Sequence, residues 1–139
     1  MTRKGIAAGG QQLLHGDITD ASLNGFYQVH RELGFGYSES IYVAALEIAL
    51  TEAGLKVERE HPITVHFRGR PIGKVKADLV VESAVMLEIK AMRPPDSAFE
   101  AQLLNYLRAT EFEVGLLLYF NPEPSKKRLI FTNDRKLLR

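Results

Sequence analysis

Apolar positions recur at helical spacing in three stretches and at strand spacing, or as short unbroken runs, in five others, and their order predicts a mixed fold. From Asp17 or Thr19, either a suitable N-cap, the apolar residues Leu23, Phe26, Tyr27, Val29 and Leu33 predict a first helix that Gly34 and Gly36 end. Ser38 caps a second, with Ile41, Tyr42, Ala45, Leu46, Ala49, Leu50 and Ala53 as its stripe and Gly54 as its stop. Alternation then runs from Val57 through Arg59, His61, Ile63 and Val65 to Phe67, with Pro62 marking an edge or a bend. Arg68-Gly69-Arg70-Pro71 predicts a turn, and a return strand covers residues 72–81. After Pro94-Pro95, the capping box Ser97-Ala98-Phe99-Glu100 opens a third helix carrying Phe99, Leu103, Tyr106 and Leu107. The run from Val114 to Phe120 lacks alternation, as a strand buried on both faces does, so the third helix is expected to cross over onto the sheet. A loop over residues 121–125 and a last strand over 128–132 follow. The expected organisation is a flexible arm over 1–16, one domain over 17–133 and a frayed basic tail over 134–139.

One hairpin carries charges where a buried strand should have none. Residues 79–81 and 85–89 read as adjacent strands, with Asp78 opening the first and Glu88 and Lys90 interrupting the second. Because side chains alternate, Glu88 and Lys90 share a face with Met86, while Val85, Leu87 and Ile89 take the other. A three-residue loop, Glu82-Ser83-Ala84, sets Asp78 opposite Glu88, whereas a two-residue loop would send the two acids to opposite faces. In the first register two carboxylates and an ammonium converge on an apolar sheet, which is costly unless a cation sits between the acids. Such oxygen ligands suit Mg²⁺ or Mn²⁺. The plain structural alternative is a solvated sheet face bearing a Glu-Lys pair. Lys74 and Lys76 are expected on the face of Asp78, and with Arg68 and Arg70 they could line a phosphate approach. Glu39, in the first turn of the second helix, suits the helix dipole and lies at the core edge. His30 reads as a satisfied core histidine.

Composition narrows the picture without choosing the chemistry. At 139 residues, 45% hydrophobic and 25% charged, the chain fits one soluble domain. Zero cysteines remove thiol chemistry and disulfides and agree with a cytoplasmic location. The first ten residues lack the apolar core of a signal peptide, and the run 116–120 is too short to span a membrane. With 18 basic and 17 acidic residues, any polyanion must be gripped by a local patch.

Several stretches resemble one family. Gly36-Tyr37-Ser38-Glu39-Ser40-Ile41-Tyr42 matches the signature of the GxxExxY proteins, a branch of the PD-(D/E)XK nuclease superfamily. The resemblance extends through Val29 to Gly34, Ala77 to Val81, Leu87-Glu88-Ile89-Lys90-Ala91, Ala101 to Leu107 and Val114 to Leu117, covering roughly residues 18–133. It implies an α/β (α+β) fold, with a restriction-endonuclease-like mixed sheet flanked by helices. It implies Asp78 and Glu88 as metal ligands with the Ile89 carbonyl, and Lys90 as the catalytic lysine. Glu39 is similar to the helix glutamate that supports metal or water, and Gln102 to the glutamine of the following helix. The implied activity is Mg²⁺-dependent hydrolysis of nucleic acid, DNA first, with a catalytically silent binding module as the alternative. A homodimer would be one way to cut two strands. Phe35, Lys76 and Tyr119 depart from the usual pattern without touching a chemical group of the site.

Overall fold

The first two apolar stripes pack on each other because small residues let them. In a computed structural model, which describes residues 13–92 and 97–137, they form α1 (Gly16–Leu33) and α2 (Glu39–Glu52). A Cβ added to Gly25 of α1 would come within 2.6 Å of the Leu50 side chain of α2, so hydrogen is the only side chain that fits the crossing as it stands. Leu46 and Leu50 are completely buried there, each worth about 1.5–3 kcal/mol of apolar transfer. Gly34, at φ +70°, takes the turn after α1 that L side chains resist, and its N–H closes on the His30 carbonyl at 2.8 Å.

The remaining elements are β1 (Val57–Phe67), β2 (Arg70–Val81), β3 (Val85–Lys90), α3 (Ser97–Arg108), β4 (Val114–Tyr119), β5 (Ser125–Ile130) and a 3₁₀ turn over Asn133–Arg135. The strands make one mixed sheet of five in the order β1-β2-β3-β4-β5. Only β3 and β4 run parallel, because α3 returns the chain across the sheet between them. Strand alternation divides the core in two. Leu79, Leu87, Ile89 and Leu118 pack under α1 and α2 with Phe26, Tyr42 and Leu46. Val80, Met86, Leu117 and Tyr119 pack under α3 with Leu103 and Leu107. The protein is thus an α+β domain with helices on both faces of the sheet, as the expected fold class requires. No helix among the described residues is long and apolar enough to cross a membrane.

Local expectations fail where a residue's neighbours outweigh its own preference. Leu33 and Ile41, assigned to the buried stripes, are 39% and 43% exposed, while Ser22, Gly25 and Val43 face inward. Helix α1 starts at Gly16 behind His15 at φ 55°, so Asp17 and Thr19 lie inside its first turn. The last strand begins at Ser125 and stops at Ile130, three residues ahead of the expected start. The tail is docked as far as Lys136, whose ammonium donates to the carbonyls of Thr110 at 2.8 Å and Phe112 at 2.7 Å. The first twelve residues of the expected arm, the Pro94-Pro95 break and the last two residues lie outside the described residues.

Candidate active site

The loop between β2 and β3 decides which residues meet. Val81 pairs with Val85, so Glu82-Ser83-Ala84 form a three-residue loop, with Glu82 and Ser83 both left-handed at φ 54° and 52°. The ladder stops at Leu79 and Leu87. One step beyond, side chains take over the backbone partners. The Asp78 N–H donates to Glu88 Oε2 at 2.8 Å, and the Ile89 N–H donates to Asp78 Oδ2 at 2.8 Å. Each acid is therefore fastened to the other's strand at the mouth of the opening between them. The N–H and C=O of one strand residue point to the same edge, so the Ile89 carbonyl faces β2 as well. The Lys90 carbonyl faces β4 instead, accepting from the Phe120 N–H at 2.8 Å.

Across Asp78 on the other side, Glu60 of β1 is left-handed at φ 55°, and the ladder skips it between the pairs Arg59–Leu79 and His61–Ala77. A non-glycine residue held so costs about 1–3 kcal/mol. The kink reverses the alternation: Val57 packs on the α1–α2 side, but Ile63, Val75 and Ala77 pack on the α3 side. Lys74 and Lys76 accordingly alternate away from the α3 side, on which Glu88 and Lys90 lie. That corrects the expectation of one shared face, and strict period-two counting fails here because it assumes an unbroken strand. Lys76 is instead 3.5 Å from Glu60. Arg68 stacks on Phe67 at the tip of the β1–β2 hairpin, next to Arg70.

Lys90 is buried on the α3 side. Its Nζ donates to Gln102 Oε1 at 3.1 Å and lies 4.4 Å from the centre of the Phe99 ring, so α3 fixes the ammonium from two positions three residues apart. Glu39 reaches the same strand end from the opposite side of the sheet, its Oε2 accepting from the Ala91 N–H at 3.3 Å. Burial, then the charge of Asp78, pushes Glu88 up to about 8, and Glu88 is only 4% exposed. Burial also raises Asp78, against the Ile89 hydrogen bond and Lys90, which lower it, and Glu39 adds to the rise. Two residues absent from the sequence-based set complete the surroundings. Tyr106 is raised by burial and then by Glu88 and Asp78, so its hydroxyl lies within the field of the acid pair. Arg59 is, with Lys90, one of the cations acting on Asp78. Tyr106 follows Gln102 by four residues, a spacing visible in the sequence that could have flagged it once Gln102 was suspected.

Asp78, near the end of β2, thus faces the Glu-x-Lys of the neighbouring β3. A family model described as the PD-(D/E)XK nuclease superfamily matches residues 16–130. The chain belongs to the PD-(D/E)XK nuclease superfamily. No curated protein and no solved structure matches it significantly. Members of this superfamily are typically metal-dependent, and the residues present fit a hard divalent cation. Asp78 Oδ1 and Glu88 Oε1 accept no hydrogen bond among the described residues, which leaves one oxygen of each acid open. Burial, and then the charge of Asp78, also favour a proton on Glu88. Among the described residues no three His, Asp or Glu side chains cluster closely enough to hold an ion.

Proposed function

We propose that this domain hydrolyses phosphodiester bonds of nucleic acid, with DNA as the working substrate, and that within its superfamily it belongs to the GxxExxY branch. The observation that carries the reading is the pair of interlocked acids with a buried lysine held beside them by α3. Asp78, Glu88 and the Ile89 carbonyl would hold Mg²⁺ or Mn²⁺. Bound there, the ion supplies a lowered water pKa and positive charge against the phosphate. The chain's own groups do the rest. The Lys90 ammonium, desolvated against Phe99, offers donors to an attacking water or to a non-bridging phosphate oxygen, where charge grows in the transition state. Gln102 and Glu39 are positioning residues: the first fixes the lysine, the second the backbone just beyond it. Arg68 and Arg70, at the tip of the β1–β2 hairpin, are proposed to meet the flanking phosphates.

The test is Mg²⁺-dependent cleavage of single- and double-stranded DNA by the wild type, Lys90→Ala and Asp78→Ala. The wild type should cut, with both variants slower by about 10²–10⁴-fold. Equal cleavage by all three would identify a contaminating nuclease. A second reading, binding without cleavage, is favoured by the acids' hydrogen bonds to backbone N–H groups, which close the hairpin with no chemistry involved. DNA binding that survives chelation, without turnover under any divalent ion, would select it.

A further inference from the structure

A groove of about 680 Å³ runs between the β1–β2 turn and the second half of α3. Its walls include Phe67, Arg68, Tyr106, Asn105 and Arg108. Phe67 is 57% exposed, an unusual position for a phenylalanine, and the Arg68 guanidinium carbon lies 4.9 Å from its ring centre. Tyr106 belongs both to the groove and to the electrostatic surroundings of Asp78 and Glu88. One helical turn separates it from Gln102, the partner of Lys90, a rise of about 6 Å. An open aromatic face flanked by arginines, in one groove with Tyr106, has the chemistry of a base-stacking platform.

We infer that this groove takes an unpaired nucleobase further along the strand from the phosphate to be cut, so that the substrate is single-stranded nucleic acid or a duplex with an unpaired segment. The inference rests on the nuclease reading above and adds its substrate class. Charge favours it over a blunt duplex. The chain is almost neutral, with a net charge of +1, so phosphate contacts alone supply little affinity. Stacking on an aromatic face supplies affinity that tolerates any sequence. Arg68 and Arg108 then serve the phosphates on either side of the stacked base. Both guanidinium groups lie over aromatic rings, Phe67 for the first and Phe131 for the second.

The chain has no tryptophan, so Phe67→Trp installs a single reporter at an exposed position. Its fluorescence is titrated, in chelator and without turnover, with a twelve-nucleotide single strand, an abasic strand of equal length and a blunt duplex. Quenching by the single strand, with at least about fivefold weaker binding of the other two probes, is the expected result. In anisotropy measurements Phe67→Ala should bind the single strand about tenfold more weakly, while Ile72→Ala, at an exposed position of the same hairpin outside the groove, should not. Equal binding of the abasic strand, no quenching, preference for the duplex, or equal losses in the two alanine variants would each overturn the inference. Capture of an apolar peptide in place of the single strand would do so as well. Failure of the nuclease reading looks different: the single strand quenches, but Mg²⁺ produces no cleavage.

Discussion

Glu88 concentrates the energetic conflict of the site in one side chain. Its carboxyl titrates near 8 in the folded, metal-free protein against an ordinary 4.5, so between those values the folded state holds a proton that the unfolded state has lost. Its contribution to stability is complete below about 4.5 and disappears as the pH rises to about 8. Metal-free protein should therefore melt several degrees lower at pH 8 than at pH 5, and Glu88→Gln, which keeps an acceptor for the Asp78 N–H, should flatten that slope. A melting temperature that rises over this window in the wild type, or an unchanged slope in the variant, would contradict the assignment. Gln102 makes a second test at this scale. Gln102→Leu removes the acceptor from Lys90 and should lower kcat about tenfold, with an altered pH profile of kcat and little change in KM. A loss confined to stability would make the contact merely structural.

The hairpin of β2 and β3 was readable in the residues, and the elements packed against it much less so. Counting along the chain offered two registers, and the three-residue loop Glu82-Ser83-Ala84 between Val81 and Val85 selects the one that brings Asp78 and Glu88 together. The acids' use of each other's backbone N–H was not readable, because it depends on the ladder opening beyond Leu79. Nor was the face of Lys74 and Lys76, which turns on one left-handed residue, Glu60, in the neighbouring strand. Gly115 shows the same limit: in sequence it interrupts an apolar run, while in the fold a Cβ there would meet the Leu103 side chain at 2.9 Å. Overpacking of this kind costs about 1–3 kcal/mol. Gly115→Val should lower the melting temperature and, by lifting α3 off β4, reduce cleavage beyond what the lost stability explains, because Gln102 adjoins Leu103. Full activity per folded molecule would mean that α3 does not set the lysine's position.

At the scale of the molecule, the sheet order places β3 at the centre, with helices over both faces, so the candidate site receives Glu39 from one layer and Gln102 from the other. Alternating helical and strand patterns announced this layering, and the family match over residues 16–130 agrees with it. Balanced charge announced something as well. If Arg68, Arg70 and Arg108 are the phosphate contacts, the logarithm of the DNA binding constant should fall with the logarithm of salt at a slope no steeper than about −3. A slope near −8 would require a basic surface elsewhere. The most direct test of the central claim is anomalous diffraction from crystals soaked in Mn²⁺. The account predicts one peak between the Asp78 and Glu88 carboxylates, adjacent to the Ile89 carbonyl and lost in Asp78→Ala. No peak there, or one that survives the substitution, would contradict it.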